Sequence, residues 1–211
     1  MLNIVGLDIS VGHKKIFSDI NCQFDIGLNR IVIVGVNGSG KTTFLSCISG
    51  INKIDKGKIN LIKDNKNHPF KLQKQGFYLS DHIDFYHFLT GLDIIKLIKR
   101  YKKINCHHQL DDYLTGFGIS GYLNTKFGDM SLGTKKKLLL TSALMTDVDV
   151  YILDEPTNGL DVTSMSFLKE KFNSLADQKI IIFSSHDESF LKDLNIHDYK
   201  IHENRIFKTG S

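Results

Sequence analysis

The sequence predicts an α/β protein with a mostly parallel sheet, flanking helices and antiparallel strands near its N-terminus. Three apolar runs, residues 31–34, 148–153 and 180–183, have the β-branched and aromatic composition of strands buried on both faces. Helical patterns lie between these runs, and strands that alternate with helices form parallel sheets. Polar residues follow the runs, so we expect their side chains to meet at the carboxyl edge of the sheet.

Residues 2–25 contain short strand-like patterns broken by glycines, which predict antiparallel strands that lead into the strand at residues 31–34. A further strand is expected at residues 58–62 and another at residues 76–79, with a polar loop over residues 64–69 between them.

The pattern changes from strand-like to helical between residues 80 and 146. Apolar Leu92, Ile95 and Ile98 fall on one side of the first helix, and lysines occupy much of the other side. We predict a single domain over residues 1–211, with an α/β core at 1–79 and 147–211 and an inserted helical subdomain at 80–146. The basic side is typical of a solvated face, and a face near anionic lipid headgroups is the alternative.

Bulk properties narrow the class of protein. The chain has 211 residues and 41% hydrophobic content, and it lacks an apolar run of the ~20 residues that span a bilayer. We therefore expect a soluble, unexported protein. Cys22, Cys47 and Cys106 suggest neither a disulfide framework nor a zinc site. A net charge of +4 is too small to indicate a nucleic-acid partner, and none is expected.

A phosphate-binding loop of the form G-x-x-x-x-G-K-[ST] follows the first buried strand and precedes a helical pattern. Its glycines let backbone N–H groups point inward, the helix presents its positive end, and the lysine adds a full charge. The alternative is a chance match, which the flanking strand and helix disfavour. The predicted phosphate-binding residues are Gly35, Asn37, Gly38, Ser39, Gly40, Lys41, Thr42 and Thr43.

Two acidic residues, Asp154 and Glu155, end the second buried strand. Mg²⁺ prefers carboxylates and hydroxyls in company with phosphate oxygens, so Asp154 and Thr42 are predicted to hold it. Glu155 would then face the γ-phosphate and orient or deprotonate the attacking water. An acidic pair at a strand end is also a common helix N-cap, which is the structural alternative.

In their order along the chain, these motifs resemble the nucleotide-binding subunits of ABC transporters. The resemblance covers the Walker A loop at residues 35–42, the Walker B strand at 150–154, a D-loop at 158–161 and a switch histidine at His186. Residues 130–134 fall where the family has its signature Leu-Ser-Gly-Gly-Gln.

The resemblance implies an ATPase in which two subunits clamp two ATP molecules, each between the Walker A loop of one copy and the signature of the other. Lys41, Glu155 and His186 are then expected to be catalytic, and Ser131, Gly133 and Asp161 to help bind nucleotide. Read without the family, Ser131 is an ordinary N-cap and His186 a core or cap histidine.

The sequence departs from the family pattern at three places. Leu132 and Thr134 replace a glycine and the glutamine of the signature. Asp81 stands where a glutamine is expected; it could coordinate Mg²⁺ through water, but the γ-phosphate would repel it. Val11 occupies the position of the aromatic residue that stacks on adenine, with His13 as a remote substitute.

The expected function is to bind and hydrolyse ATP and so power a membrane transporter. An exporter is favoured over an importer. The partners are a second ABC ATPase subunit and an integral membrane subunit, which would dock near residues 81–88 and hold the chain on the cytoplasmic face of the membrane. The apolar side chains there could also be core packing. A soluble, non-transport ABC ATPase and a poorly hydrolysing regulatory half of a heterodimer are the alternatives.

Overall fold

The computed structural model describes residues 1–25, 30–103, 110–192 and 194–209. The strands are β1 (Leu2–Val11), β2 (Lys14–Phe24), β3 (Arg30–Val34), β4 (Lys56–Lys63), β5 (Lys66–Pro69), β6 (Gly76–Leu79), β7 (Val150–Leu153), β8 (Ile180–Ser184), β9 (His197–His202) and β10 (Arg205–Lys208). The helices are α1 (Lys41–Ser49), α2 (Leu72–Gln75), α3 (Gly91–Lys102), α4 (Leu110–Gly116), α5 (Leu132–Leu144), α6 (Val162–Leu175) and α7 (Glu188–Leu191).

The larger sheet has six strands in the order β10-β9-β3-β8-β7-β6, and only the β10–β9 pair is antiparallel. This confirms the mostly parallel sheet. In the register, Phe183 lies between Val32 and Leu153, and Leu153 pairs in turn with Leu79. The carboxyl ends of β3, β8, β7 and β6 therefore lie at one edge, and the loops that carry the motifs leave the sheet side by side.

The second sheet is antiparallel, in the order β2-β1-β4-β5, which confirms the predicted N-terminal strands. The prediction of a polar loop over residues 64–69 is wrong, because β5 pairs with β4 across a tight hairpin. Asp64 and Asn65 have φ of 51° and 58° and form its turn. Aspartate and asparagine tolerate this left-handed conformation, which makes the two-residue turn possible.

Both faces of the parallel sheet are buried, which explains why its strands read as continuous apolar runs. Ile152 belongs to a cluster that includes α1 and the antiparallel sheet, whereas its neighbours Tyr151 and Leu153 belong to a second cluster with the helices. Residues alternate in the same way along β3 and β8. Because successive side chains of a strand point to opposite faces, each strand contributes to both clusters.

The segment between β6 and β7 holds α3, α4 and α5, as the helical pattern predicts. Thr90 begins α3 with a capping box that pairs it with Asp93. The basic side of α3 is not uniformly solvated, because Lys102 turns its ammonium to the carbonyl oxygens of Leu72 and Gly76. The helices contribute to the same apolar cluster as the sheet. A separate subdomain at residues 80–146, with the core at 1–79 and 147–211, stays a prediction.

Two observations concern membranes and cysteines. In the part of the chain that the structure describes, none of the helices combines the length and the apolar composition that crossing a bilayer requires. Cys47 is buried and Cys22 is half-buried, and both are free thiols. Cys106 lies outside the described residues.

Candidate nucleotide-binding site

The phosphate-binding loop connects the end of β3 to the start of α1. Gly40 precedes the helix with φ of 100°, a left-handed conformation that favours glycine. A Cβ atom at Gly40 would lie 3.0 Å from the ring of Phe17 in β2, so the antiparallel sheet closes one side of the loop. Lys41 is 8% exposed and donates to the carbonyl oxygens of Gly35 at 2.8 Å and Val36 at 3.3 Å.

One polar side chain of the loop is without a protein partner. The hydroxyl of Ser39 is buried and has no hydrogen-bond partner. A buried hydroxyl without a hydrogen-bond partner lowers the stability of the fold, unless a ligand supplies the missing hydrogen bond. Together with the start of α1 and the ammonium of Lys41, this orphaned group fits a polyphosphate.

Asp154 provides the second part of the site. Its side chain is 1% exposed, and Oδ1 accepts a hydrogen bond of 2.6 Å from the hydroxyl of Ser184. Oδ2 is buried and has no partner. An ionised carboxylate oxygen in such a position needs a cation or a donor, so Asp154 fits the Mg²⁺ that accompanies a bound nucleotide. The hydroxyl-bearing residue Thr42 lines the same cavity.

Glu155 has an unusual backbone for its residue type, with φ of 44°. Its N–H donates to the Ser184 hydroxyl at 2.9 Å, and Oε1 lies 3.2 Å from Nε2 of His186. Burial raises the pKa of Glu155, the charge of Asp154 adds to this, and His186 and Lys41 act in the opposite direction. A raised pKa brings a carboxylate closer to the range in which a general base is effective.

A cavity of about 530 Å³ joins these elements. It is lined by Asn37, Gly38, Gly40, Lys41, Thr42, Thr43, Asp81, Asp154, Glu155, Asn158 and His186. The structure thus brings three separated motifs to one space, while Gly35 and Ser39 are not among the residues that line it. Asn158 was not singled out as a cavity residue from the sequence.

Asp81 lies in this cavity, but its side chain has protein partners. Oδ1 accepts from Nζ of Lys136 at 3.2 Å and from Nδ2 of Asn158 at 3.1 Å. Lys136 comes from α5 and is 1% exposed. Burial lowers the pKa of Lys136, and the charges of Asp81, Asp154 and Glu155 oppose that shift. The role of Asp81 as a metal ligand through water stays a prediction.

Sequence reasoning missed Lys136 and the role of Ser184. A lysine within a helix usually reads as a solvent-exposed residue, and a serine at a strand end gives no signal of its partners. Lys136 stands between two other lysines, so the unexpected acid at position 81 is the one signal that could have suggested the pair.

The three nucleotide-binding residues predicted outside the phosphate-binding loop are not among those that line the cavity. Ser131 caps α5 by accepting from the N–H of Thr134 at 3.1 Å. Gly133 lies against the D-loop segment, where a Cβ atom would come within 2.5 Å of the carbonyl oxygen of Gly159. Asp161 caps α6 and contacts Lys137. Their contact with nucleotide stays a prediction.

The residues expected near adenine lie outside the cavity that holds the other motifs. Val11, at the end of β1, is 56% exposed, and neither Val11 nor His13 is among the residues that line the cavity. The expectation of weak stacking on the base stays a prediction.

Comparison with known proteins places these motifs in a family. The family model described as ABC transporter matches residues 17–158, which include the phosphate-binding loop, Asp154 and Glu155. His186 and Asp161 lie beyond the matched segment.

Two relatives and one solved structure illustrate the similarity. The chain is 29% identical to the uncharacterized ABC transporter ATP-binding protein YdbJ of Bacillus subtilis, over 92% of this chain and 64% of that protein. It is 35% identical to the cytochrome c biogenesis ATP-binding export protein CcmA of Reclinomonas americana, over 75% of this chain and 71% of that protein. The chain thus spans less than two thirds of YdbJ.

The solved structure is a dimeric, post-hydrolysis state of the ATP-binding cassette MJ0796 bound to ADP and Pi. It superposes with a TM-score of 0.83 at 16% identity and covers 99% of this chain and 98% of that chain. At this identity the likeness concerns the fold. The family match, the relatives and the cavity agree: the chain belongs to the ABC transporter family, as an ATP-binding protein with the fold of an ABC ATPase cassette.

Proposed function

We propose that the chain binds ATP with Mg²⁺, hydrolyses it and powers a membrane transporter through ATP-driven dimerisation of two cassettes. The observation that carries the proposal is the cavity of about 530 Å³, where Lys41, Asp154, Glu155 and His186 approach from three different segments. Each side chain supplies a different requirement of phosphoryl transfer to water: phosphate binding, metal binding, proton acceptance and γ-phosphate contact.

The chain's own residues have distinct tasks in this reaction. Lys41 and the N–H groups at the start of α1 bind the phosphates, and Thr42 and Asp154 would hold Mg²⁺, which neutralises charge on the phosphate oxygens. Glu155 accepts a proton from the water that attacks the γ-phosphorus, while the bond from that phosphorus to the ADP oxygen breaks. His186, 3.2 Å from Glu155, is placed to orient that carboxylate and to contact the γ-phosphate.

Dimerisation is supported by what α5 presents at its N-terminus. Ser131 and Gly133 lie outside the lining of the chain's own cavity, and Leu132 beside them is 63% exposed. A hydroxyl and N–H groups at a helix start form an anion site, and it would serve the ATP held by a second copy or a related subunit. The altered residues Leu132 and Thr134 would make that site less closely fitted to phosphate.

A membrane partner is proposed to dock near residues 81–88. Tyr86 and Phe88 are 66% and 69% exposed, and their rings lie 5.7 Å apart. Ile83 and Phe85 instead pack against the core, so only half of the predicted apolar set is available to a partner. Exposed aromatic pairs are typical of interaction surfaces. This contact would hold the chain on the cytoplasmic face of the membrane.

Export is the proposed direction of transport. It is supported by the similarity to CcmA, whose name describes an export protein. The cargo would be set by the membrane subunit, because the described cavity accounts only for groups that handle a nucleotide.

The test is ATP turnover by the purified chain, together with its co-purified membrane partner, for the wild type and Glu155→Gln. Loss of the proton acceptor should slow turnover by about 100-fold or more while ATP binding is kept. Glu170→Gln, an exposed residue of α6, removes the same charge and should turn over like the wild type.

Two results would contradict the proposal. A wild type that does not hydrolyse ATP even with its membrane partner would show that Glu155 is not a working base. A cellular pool found on ribosomes or DNA, with none at the membrane, would rule out transport as the function.

A further inference from the structure

Lys136 is the one residue of α5 whose charged side chain the structure buries. It is 1% exposed, and its ammonium lies 3.2 Å from Oδ1 of Asp81, 55 positions away in the chain. Burying an ammonium group is costly unless a charged or strongly polar partner offsets the loss of hydration. Asp81 supplies that partner, so the position of Lys136 depends on Asp81.

Asp81 has a corresponding need for Lys136. The cavity is lined by three carboxylates, Asp81, Asp154 and Glu155, in a space that fits a polyphosphate. Without a cation beside it, Asp81 would add a negative charge that repels the phosphates. The ammonium of Lys136 brings the pair to zero charge, so the cavity holds a third carboxylate without the repulsion.

The pair also connects two parts of the fold. Asn158, which follows β7, donates to the same oxygen of Asp81 at 3.1 Å. Gly133 and Lys137 contact the same D-loop segment, at Gly159 and Asp161. Residues 133, 136 and 137 share one side of a helix, because positions three and four apart are neighbours. One face of the first turns of α5 therefore contacts both Asp81 in the cavity and the D-loop segment.

We propose that Asp81 and Lys136 act as one ion pair, which cancels the charge of Asp81 in the nucleotide cavity and positions α5 with its N-terminal Ser131. Lys136 is a positioning residue, because it acts through Asp81. The consequence for nucleotide binding rests on the proposed function, whereas the consequence for stability follows from the contacts alone. Because the two side chains compensate each other, losing either one should destabilise the protein more than losing both.

The test compares the wild type with Asp81→Asn, Lys136→Gln and the double variant. For each, the dissociation constant for ATP is measured in EDTA, which keeps Mg²⁺ out of the comparison, and Tm is measured without nucleotide. Lys136→Gln leaves Asp81 uncompensated and should weaken ATP binding by about tenfold. Asp81→Asn removes an anion and should bind ATP at least as tightly as the wild type.

Stability should show the compensation. Because Asp81 is 44% exposed, the pair is only partly shielded from water, and we expect each single variant to lower Tm by about 4 °C. The double variant should recover most of that loss and bind ATP within about threefold of the wild type. Lys135→Gln is the matched control: it removes the same charge from the next position of α5, where the lysine lies over the ring of Phe127, and it should leave ATP binding unchanged.

Three results would overturn the inference: losses of Tm that add up in the double variant, a double variant no more stable than the worse single one, or an Asp81→Asn variant that binds ATP like the wild type in EDTA but more weakly in a second titration with Mg²⁺. The last result would assign Asp81 to the metal. If the wild type fails to bind ATP, the proposed function fails, but the pattern of Tm values still tests the ion pair.

Discussion

The hydroxyl of Ser184 lies 2.6 Å from Oδ1 of Asp154 and donates a hydrogen bond to it. The hydroxyl oxygen of Ser184 also accepts a hydrogen bond of 2.9 Å from the N–H of Glu155, where the backbone takes its left-handed turn. One fully buried hydroxyl at the end of β8 therefore fixes both acidic residues at the end of β7. The positions of the two acidic residues therefore depend on β8 as well as on β7, the strand that carries them.

Ser184→Ala should destabilise the protein by about 2 kcal/mol, because it removes one bond and leaves the buried N–H of Glu155 without an acceptor. Urea unfolding measures this cost, and ATP turnover should fall with it. Ser142→Ala is the control, since that buried hydroxyl bonds only to the carbonyl of Leu138 in its own helix. Its cost should be about 1 kcal/mol or less. Equal costs for the two variants would show that the hydroxyl of Ser184 does not hold the acidic pair.

Gly133→Ala should destabilise the protein by about 2 kcal/mol, although alanine normally favours a helix over glycine. The reason is the carbonyl oxygen of Gly159, which would lie 2.5 Å from the new Cβ atom. Gly121→Ala provides the comparison, because a Cβ atom there meets nothing within 4 Å. The measurement is the free energy of unfolding of both variants in urea. If the Gly133 variant is as stable as the wild type, α5 and the D-loop segment are not held in close contact.

Asp161→Asn should cost about 0.5 kcal/mol at pH 7, since asparagine still caps α6 but loses the charge paired with Lys137. The contact with Lys137, followed by the bond from the N–H of Ser164, lowers the pKa of Asp161 from 3.8 to about 2. The carboxylate of the folded protein is thus stabilised, and its contribution is complete above pH 4 and lost as the pH falls towards 2. The gap between wild type and variant in urea unfolding should be equal at pH 7 and 5 and shrink below pH 4. A gap that widens in acid would contradict this assignment.

The double variant Tyr86→Ser with Phe88→Ser should keep its stability within about 0.5 kcal/mol, because both rings are mostly exposed. Its recovery with the membrane fraction should fall by about tenfold if these rings contact the membrane subunit. Tyr101→Ser with Phe207→Ser removes one exposed tyrosine and one exposed phenylalanine elsewhere on the surface, and this variant should stay with the membrane. Equal recovery of the two double variants would place the docking surface elsewhere.

The sheet and the residues around its carboxyl edge could be predicted because each depended on a local pattern. Apolar runs gave the strands, and parallel order then required their polar endings to meet, as Asp154 and His186 do in the cavity. The pairing of β5 was missed because residues 66–69 are polar and exposed and lack the apolar alternation of a strand. The turn residues Asp64 and Asn65, with their positive φ angles, form the hairpin that brings β5 beside β4.

The network of Lys136, Asp81 and Asn158 lay beyond sequence reasoning for a different reason. Its members are far apart along the chain, and each residue type alone is more often found in solvent. Only tertiary packing decides that the lysine of α5 points inward to a carboxylate.

The contact between Phe17 and Gly40 bears on how this site could be transplanted into another protein. Residues 30–50 contain the whole phosphate-binding motif, yet the ring that limits the space beside Gly40 comes from β2, in a different sheet. A graft of the motif with its own strand and helix would leave that side of the loop open to solvent. The smallest portable unit thus includes the β1–β2 hairpin, which contributes no polar group to the cavity but limits the conformations available to the loop.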